Sequence, residues 1–237
     1  MTNPVFCAID TIDPAQALDL ARRLGPLVGG VKLGLEFFTA NGPQGIRQIA
    51  ALDMPVFLDL KFHDIPNTVA GAIRGIAPLA PALTTIHAAG GLAMMKAAVD
   101  AAGDAAARLG TSRPKILGVT MLTSTGEADL DMIGVRGPMT DQVLRLASLA
   151  QEAGLDGVIA SPHEIEPLRA ACDPGFLLVI PGIRPSWSEN HDQKRVLTPA
   201  EALVRGADRL VIGRPITAAE DPAAAARRIL AELRIRA

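Results

Sequence analysis

Cysteine is scarce in this chain. Cys7 and Cys172 are the only two in 237 residues, and without metal-ligand spacing they supply neither a disulfide framework nor a zinc site, which points to a reducing, cytoplasmic setting. Charge of one sign is lacking as well: 23 Lys and Arg face 25 Asp and Glu, a balance that provides no electrostatic footprint for nucleic acid or a membrane surface. There is no uninterrupted apolar run of about 18 residues, and the opening MTNPVFCAID has neither a basic start nor a long apolar stretch. Neither a membrane span nor a secretory leader is therefore expected. No Pro/Ser/Gly-rich linker and no charge block interrupts the chain, so residues 1–237 read as one domain. Tyrosine is absent and there is one tryptophan; Trp187 reads as loop packing rather than as a platform for stacking bases.

What is present is an alternation. Short apolar runs bounded by Gly, Pro or Asp are followed by longer segments of helical periodicity, the pattern of βα units. Eight runs are found: VFCAI at 5–9, GVKLG at 30–34, VFLDLK at 56–61, LTTIHA at 83–88, KILGVTML at 115–122, GVIAS at 157–161, LLVIPG at 177–182 and RLVIG at 209–213. Candidate helices include Pro14 to Leu24, Ile65 to Ala77, Leu92 to Leu109, Met139 to Ala153 and Pro222 to Ile235. Eight strands predict a closed (β/α)8 TIM barrel. The competing doubly wound sheet usually has fewer strands and places a glycine-rich phosphate loop after the first one, where this chain has IDTIDP.

The third run, PVFLDLKFHDIPNTV at 55–69, carries Asp59, Lys61 and Asp64 at the end of an apolar strand, where desolvating charge is costly. Strand alternation puts Phe57, Asp59 and Lys61 on one face and Leu58 and Leu60 on the other. The helix-facing side of a barrel must be apolar, so the charged pair is expected in the interior near the C-terminal mouth, where barrel enzymes keep their chemistry. Asp10 ends the first run and Lys32 lies within the second, so three neighbouring strands deliver acids and ammonium groups to one end. Opposite charges favour each other's ionised form, and Lys61 is expected to be a cation: a poor amine nucleophile, but a competent proton donor and stabiliser of a developing carbanion. Taken alone, a DxK pair on a strand also suits a plain buried ion pair.

The set AID at 8–10, KLG at 32–34, DLKFHDIPNTV at 59–69, VTMLTS at 119–124, PGIRP at 181–185 and IGRPIT at 212–217 resembles the orotidine 5'-phosphate decarboxylase family. DxKxxD by itself is shared with sugar-phosphate relatives on the same barrel; the whole set in this order is far more specific. The resemblance implies the conversion of orotidine 5'-phosphate to UMP and carbon dioxide, without metal or other cofactor. It implies that Lys61 protonates C6, that Asp59 lies beside the departing carboxylate, and that Lys32 and Asp10 contact the ribose hydroxyls and complete the charged network. It also implies that Asp64 and Thr68 reach the site of a neighbouring subunit, making a homodimer with shared active sites. Thr123 matches a position near the pyrimidine, and Arg184, Gln193, Gly213 and Arg214 match positions around the 5'-phosphate.

The phosphate assignment has an independent physical basis. IGRPIT sets a glycine, an arginine and a helix-starting proline directly after the eighth strand, where backbone N–H groups and the helix dipole favour an anion. The segment 183–197, holding Arg184 and Gln193, lacks periodicity and is a candidate phosphate-closing loop. His63 and His87 read as supporting or core residues, His163 and His191 have no partner spaced for a metal, and Cys7 reads as a small strand residue. Three other readings remain in view. A metal-dependent sugar-phosphate decarboxylase or aldolase would need an acidic ligand where Lys32 stands. A Schiff-base aldolase would need a depressed lysine, which flanking acids oppose. A phosphate-ligand sensor would bind without turnover.

Overall fold

The structure is a computed structural model that describes residues 3–188 and 197–234. Its frame is a closed barrel of eight parallel strands in sequence order, with the last hydrogen-bonded back to the first. The strands are β1 Val5–Ala8, β2 Gly30–Gly34, β3 Val56–Phe62, β4 Leu83–His87, β5 Lys115–Val119, β6 Gly157–Ile159, β7 Leu177–Ile180 and β8 Arg209–Ile212. All eight predicted runs are strands; six end sooner than apolarity suggested, β2 ends as expected and β3 runs one residue further. Residues 120–122 were expected to continue β5; instead Thr120 donates from its hydroxyl to Ile159 O at 3.0 Å and the chain leaves the ladder for the loop above the barrel. Met121 there still packs against the core, whereas Leu122 is exposed.

Strand alternation divides the apolar residues between two compartments. Phe6, Ala8, Phe57, Leu83, Leu117, Val179 and Val211 fill the barrel interior, with Phe6 and Phe57 packed edge to face at a centroid separation of 6.1 Å. The larger compartment lies between the sheet and the helices and takes Val31, Leu33, Leu58, Leu60, Ile86, Val158, Leu178 and Ile212. Strands buried on both faces must be apolar nearly throughout, which makes the polar exceptions at their upper ends conspicuous.

The helices follow local signals. Pro14–Leu24 starts with Pro at its first position, and the Asp13 carboxylate accepts from Ala15 N at 2.8 Å, an N-cap legible in the sequence. The observed helices Pro66–Ile76, Gly91–Leu109, Met139–Glu152 and Pro222–Arg234 match expectation to within a residue at each end. The helix Leu35–Ala50 was not singled out, because Asn41-Gly42-Pro43 breaks its period: Gly42 has φ +58° and the helix kinks there. Asn41 uses the kink, donating to Ile12 O at 3.0 Å and so tying the loop after β1 to this helix. Among the described residues no helix is long and apolar enough to cross a membrane.

The N-terminal end of the barrel is bound by two like devices. Asp156, just before β6, accepts from Ile116 N of β5 at 2.8 Å and holds Arg113 in a two-point ion pair. Asp208, just before β8, accepts from Leu178 N of β7 at 2.8 Å and pairs with Arg169. Arg169 also donates to Gly206 O at 2.9 Å and Phe176 O at 3.2 Å. The opposite, C-terminal end carries the unexplained charges.

Candidate active site

Strand register explains how the charges meet. Ala8, Lys32 and Phe57 are partners across β1, β2 and β3, so Asp10 and Asp59 stand two residues further up, on the same inward face. Lys32 starts one level lower, and its long stem lifts the ammonium to the carboxylates: Nζ lies 3.2 Å from Asp10 Oδ1 and 3.6 Å from Asp59 Oδ2. Lys61 Nζ approaches the same Asp59 oxygen at 2.8 Å. Asp59 is therefore the shared anion of two cations, while Asp10 is open to solvent. Gly34 faces inward beside Asp59, and a Cβ there would sit 3.2 Å from Lys32 Nζ; the missing side chain is the room in which the ammonium rests. Sequence reasoning did not single out Gly34.

Simple alternation was expected to bring Lys61 inward, and the structure corrects the route. Pairing of β3 with β4 passes from Leu58–Thr84 to Phe62–Ile86, four steps on one strand against two on the other. This irregularity is a bulge, and within it Lys61 has φ +50°, a left-handed conformation that side chains other than glycine adopt at a cost of about 1–3 kcal/mol. The strain is held by β4: Lys61 N donates to Thr85 Oγ1 at 2.9 Å, and the same hydroxyl donates to Asp59 Oδ1 at 2.9 Å. Thr85 too went unnoticed in the sequence, because its link to β3 depends on register.

Burial alone would raise the proton affinity of Asp59. The ammonium groups of Lys32 and Lys61, with hydrogen bonds from Lys61 and Thr85, more than reverse that effect and hold the carboxyl below its ordinary 3.8. Asp59 is thus an anion at neutral pH. His87, at the top of β4, has its ring 5.3 Å from that of His63. Burial first, then His63 and Lys61, lower its proton affinity, with Asp59 opposing. The Cys7 thiol is pushed up to about 12, mainly by burial, which removes it from nucleophilic chemistry.

Above the array lies a cavity of about 160 Å³ lined by Lys32, Phe57, Asp59, Lys61, Val119, Thr123, Ile159, Pro181 and Val211 among others. One end is charged and the walls are apolar. Thr123 also lines a larger neighbouring cleft of about 510 Å³ with Ser161 and His163. The larger cleft has none of the four charged residues of the array, whereas Lys32, Asp59 and Lys61 line the smaller one. Gly213 closes β8 and Arg214 begins the short helix Arg214–Thr217. Arg184 is buried, donates to Ile183 O at 3.2 Å, and its backbone N–H bonds Leu197 O at 3.0 Å. Gln193 and His191 lie outside the described residues, as does most of the candidate phosphate-closing loop. Trp187 packs under the Arg228 guanidinium, 4.5 Å from its ring centre, which agrees with its reading as loop packing. Asp64 and Thr68 are not brought to the array within this chain. Both are exposed, and Asp64 accepts from Ile65 N at 2.6 Å.

The model of the orotidine 5'-phosphate decarboxylase / HUMPS family matches residues 3–229. The chain is 60% identical over 233 residues to an orotidine 5'-phosphate decarboxylase of Paramagnetospirillum magneticum, covering 98% of this chain and 99% of that one. It is 58% identical over 232 residues to one of Rhodospirillum rubrum, covering 98% and 94%. A crystal structure of orotidine 5'-phosphate decarboxylase from Lactobacillus acidophilus superposes with a TM-score of 0.87 at 40% identity, covering 98% of this chain and 99% of that one.

Proposed function

The chain belongs to the orotidine 5'-phosphate decarboxylase / HUMPS family, and from that premise we propose how its own residues convert orotidine 5'-phosphate to UMP and carbon dioxide. The observation that carries the proposal is one buried carboxylate, Asp59, held between two ammonium groups at 2.8 and 3.6 Å. A substrate carboxylate brought beside it meets a like charge, and two such charges about 4 Å apart repel by roughly 4 kcal/mol at an effective dielectric of 20. Loss of carbon dioxide relieves that repulsion. The C6–carboxylate bond breaks, its electron pair stays on C6, and the Lys61 cation stabilises the vinyl carbanion-like species before its Nζ delivers a proton to that carbon. Lys32 and Asp10 bind the ribose hydroxyls, and Thr123 meets the pyrimidine.

Gly213 and Arg214, with Arg184 and Gln193, take the 5'-phosphate, whose remote binding energy holds the reacting end in register. Asp64 and Thr68 serve a second copy of the chain in a homodimer with shared active sites. Support for that comes from Ile12, Leu35 and Ile65, 64, 51 and 67% exposed on the segments that follow the neighbouring strands β1, β2 and β3; large apolar side chains exposed on adjacent segments at the mouth suit an interface. A metal-dependent sugar-phosphate activity is disfavoured because Lys32 and Lys61 already neutralise the acids that would hold a divalent cation.

The test is to add EDTA-treated protein to orotidine 5'-phosphate and follow pyrimidine absorbance together with carbon dioxide release. Chelator-insensitive conversion to UMP is expected. Turnover that returns only with added metal, or nucleotide binding without turnover, overturns the proposal.

A further inference from the structure

Thr85 has no side-chain exposure and sits on β4, yet both of its polar contacts go to β3. A threonine hydroxyl has a single proton. Here that proton is committed to Asp59 Oδ1 at 2.9 Å, and a lone pair receives Lys61 N at 2.9 Å. The first contact fixes the rotation of the Asp59 carboxylate, so that Oδ2 is the oxygen turned toward Lys61 Nζ at 2.8 Å and Lys32 Nζ at 3.6 Å. The second holds the left-handed backbone of Lys61, φ +50°, which aims the side chain back over Asp59 instead of out of the strand. One buried hydroxyl thus sets the direction of the anion and of the proton donor together.

We infer that Thr85 is a positioning residue for the decarboxylation: it acts through Asp59 and Lys61, holding donor and anion in their reacting geometry without touching substrate. This rests on the function proposed above. The neighbouring residue supplies the contrast. Thr84 is equally buried, but its hydroxyl donates to Leu58 O at 2.9 Å, a backbone carbonyl with no part in the charged array.

Thr85→Val keeps the shape of the side chain and removes both contacts. Misplacement of reacting groups by about 1 Å costs on the order of 100-fold in rate, so kcat is expected to fall by about 100-fold. KM should change less than about 3-fold, because the phosphate and ribose contacts that set binding are unaltered. Thr85→Ser restores the hydroxyl and should return kcat to within roughly 5-fold of wild type. Thr84→Val, a buried hydroxyl lost with similar structural consequence, should lower thermal stability and leave kcat in place. If Thr85→Val does not fold, Thr85→Ala against Thr85→Ser makes the same comparison. Wild-type kcat in the folded hydroxyl-free variant, or a loss of kcat in Thr85→Val that Thr84→Val or Thr85→Ser equals, overturns the positioning role while the decarboxylase reading stands. A wild-type protein without turnover overturns both.

Discussion

His87 and Asp59 stand on the adjacent strands β4 and β3, and burial acts on their proton affinities in opposite ways. For His87, burial and then the neighbouring His63 and Lys61 all work against protonation. The unfolded chain takes up that proton near the ordinary 6.5 and the folded chain only at lower pH, so between the two values the unfolded state binds more protons and stability falls as pH falls. Wild type is therefore expected to lose stability relative to His87→Gln as pH drops below 6.5. Urea denaturation of both proteins between pH 7.5 and 5 measures it, and a stability difference independent of pH contradicts it. Asp59 has a lowered proton affinity, so its contribution is complete above 3.8 and is withdrawn only at lower pH. The part of any stability loss between pH 6.5 and 5 that His87→Gln removes is thus assigned to this imidazole and not to Asp59.

Between elements, the two ends of the barrel divide the labour. At the N-terminal end Arg169, on the helix Ile165–Ala171, ties that helix to the segments leading into β7 and β8 through Asp208, Gly206 O and Phe176 O, at the end opposite the charges at the mouth. Arg169→Ala removes a charge-assisted contact from Asp208, which keeps its bond from Leu178 N, and from the carbonyls of Gly206, Phe176 and Pro174; partial exposure and solvent screening hold the net cost well below the sum of about 1.5–3 kcal/mol for each such bond. We expect a loss of about 2 kcal/mol, or a melting point lower by roughly 5 °C for a protein of this size, with kcat/KM unchanged. Calorimetry and steady-state kinetics on the same preparation check both halves, and a drop in kcat/KM without a drop in melting point contradicts the assignment. Sequence reading was sound for elements whose signals are local. Asp13 and Pro14 mark a helix start because cap and first turn are adjacent in the chain. The helix Leu35–Ala50 escaped notice because Gly42 and Pro43 are breakers by composition, and only neighbours such as the Asn41 contact to Ile12 show that the break is accommodated.

At the scale of the whole molecule, the mouth of one barrel presents exposed Ile12, Leu35 and Ile65 and an exposed Asp64. In the proposed dimer, Lys61→Ala and Asp64→Asn damage different halves of a composite site. Each homodimer should be nearly inert. Mixing the two after partial denaturation and refolding should regenerate up to about a quarter of wild-type activity, since statistical pairing makes half the molecules heterodimers with one intact site each. Activity no higher than that of the parents contradicts the sharing of sites, and sedimentation of the same samples shows whether dimers formed.

The sequence by itself determined the barrel and the residues at its mouth. Eight apolar runs alternating with helical segments admit few other topologies, and Asp10 just past β1, Lys32 within β2 and Asp59 near the end of β3 are assigned to the inward face because period-2 alternation and the need for an apolar outer face are properties of neighbouring residues. It did not determine how those charges are aimed. Lys61 reaches Asp59 through a bulge and a left-handed backbone. Thr85 governs both from 24 and 26 residues further along the chain, and Gly34 makes room for an ammonium group attached to β2. The pairing of β3 with β4 sets which hydroxyl meets which carboxylate, and that register is a compromise among packing, strain and charge across the closed barrel, so it exists only once every strand is in place.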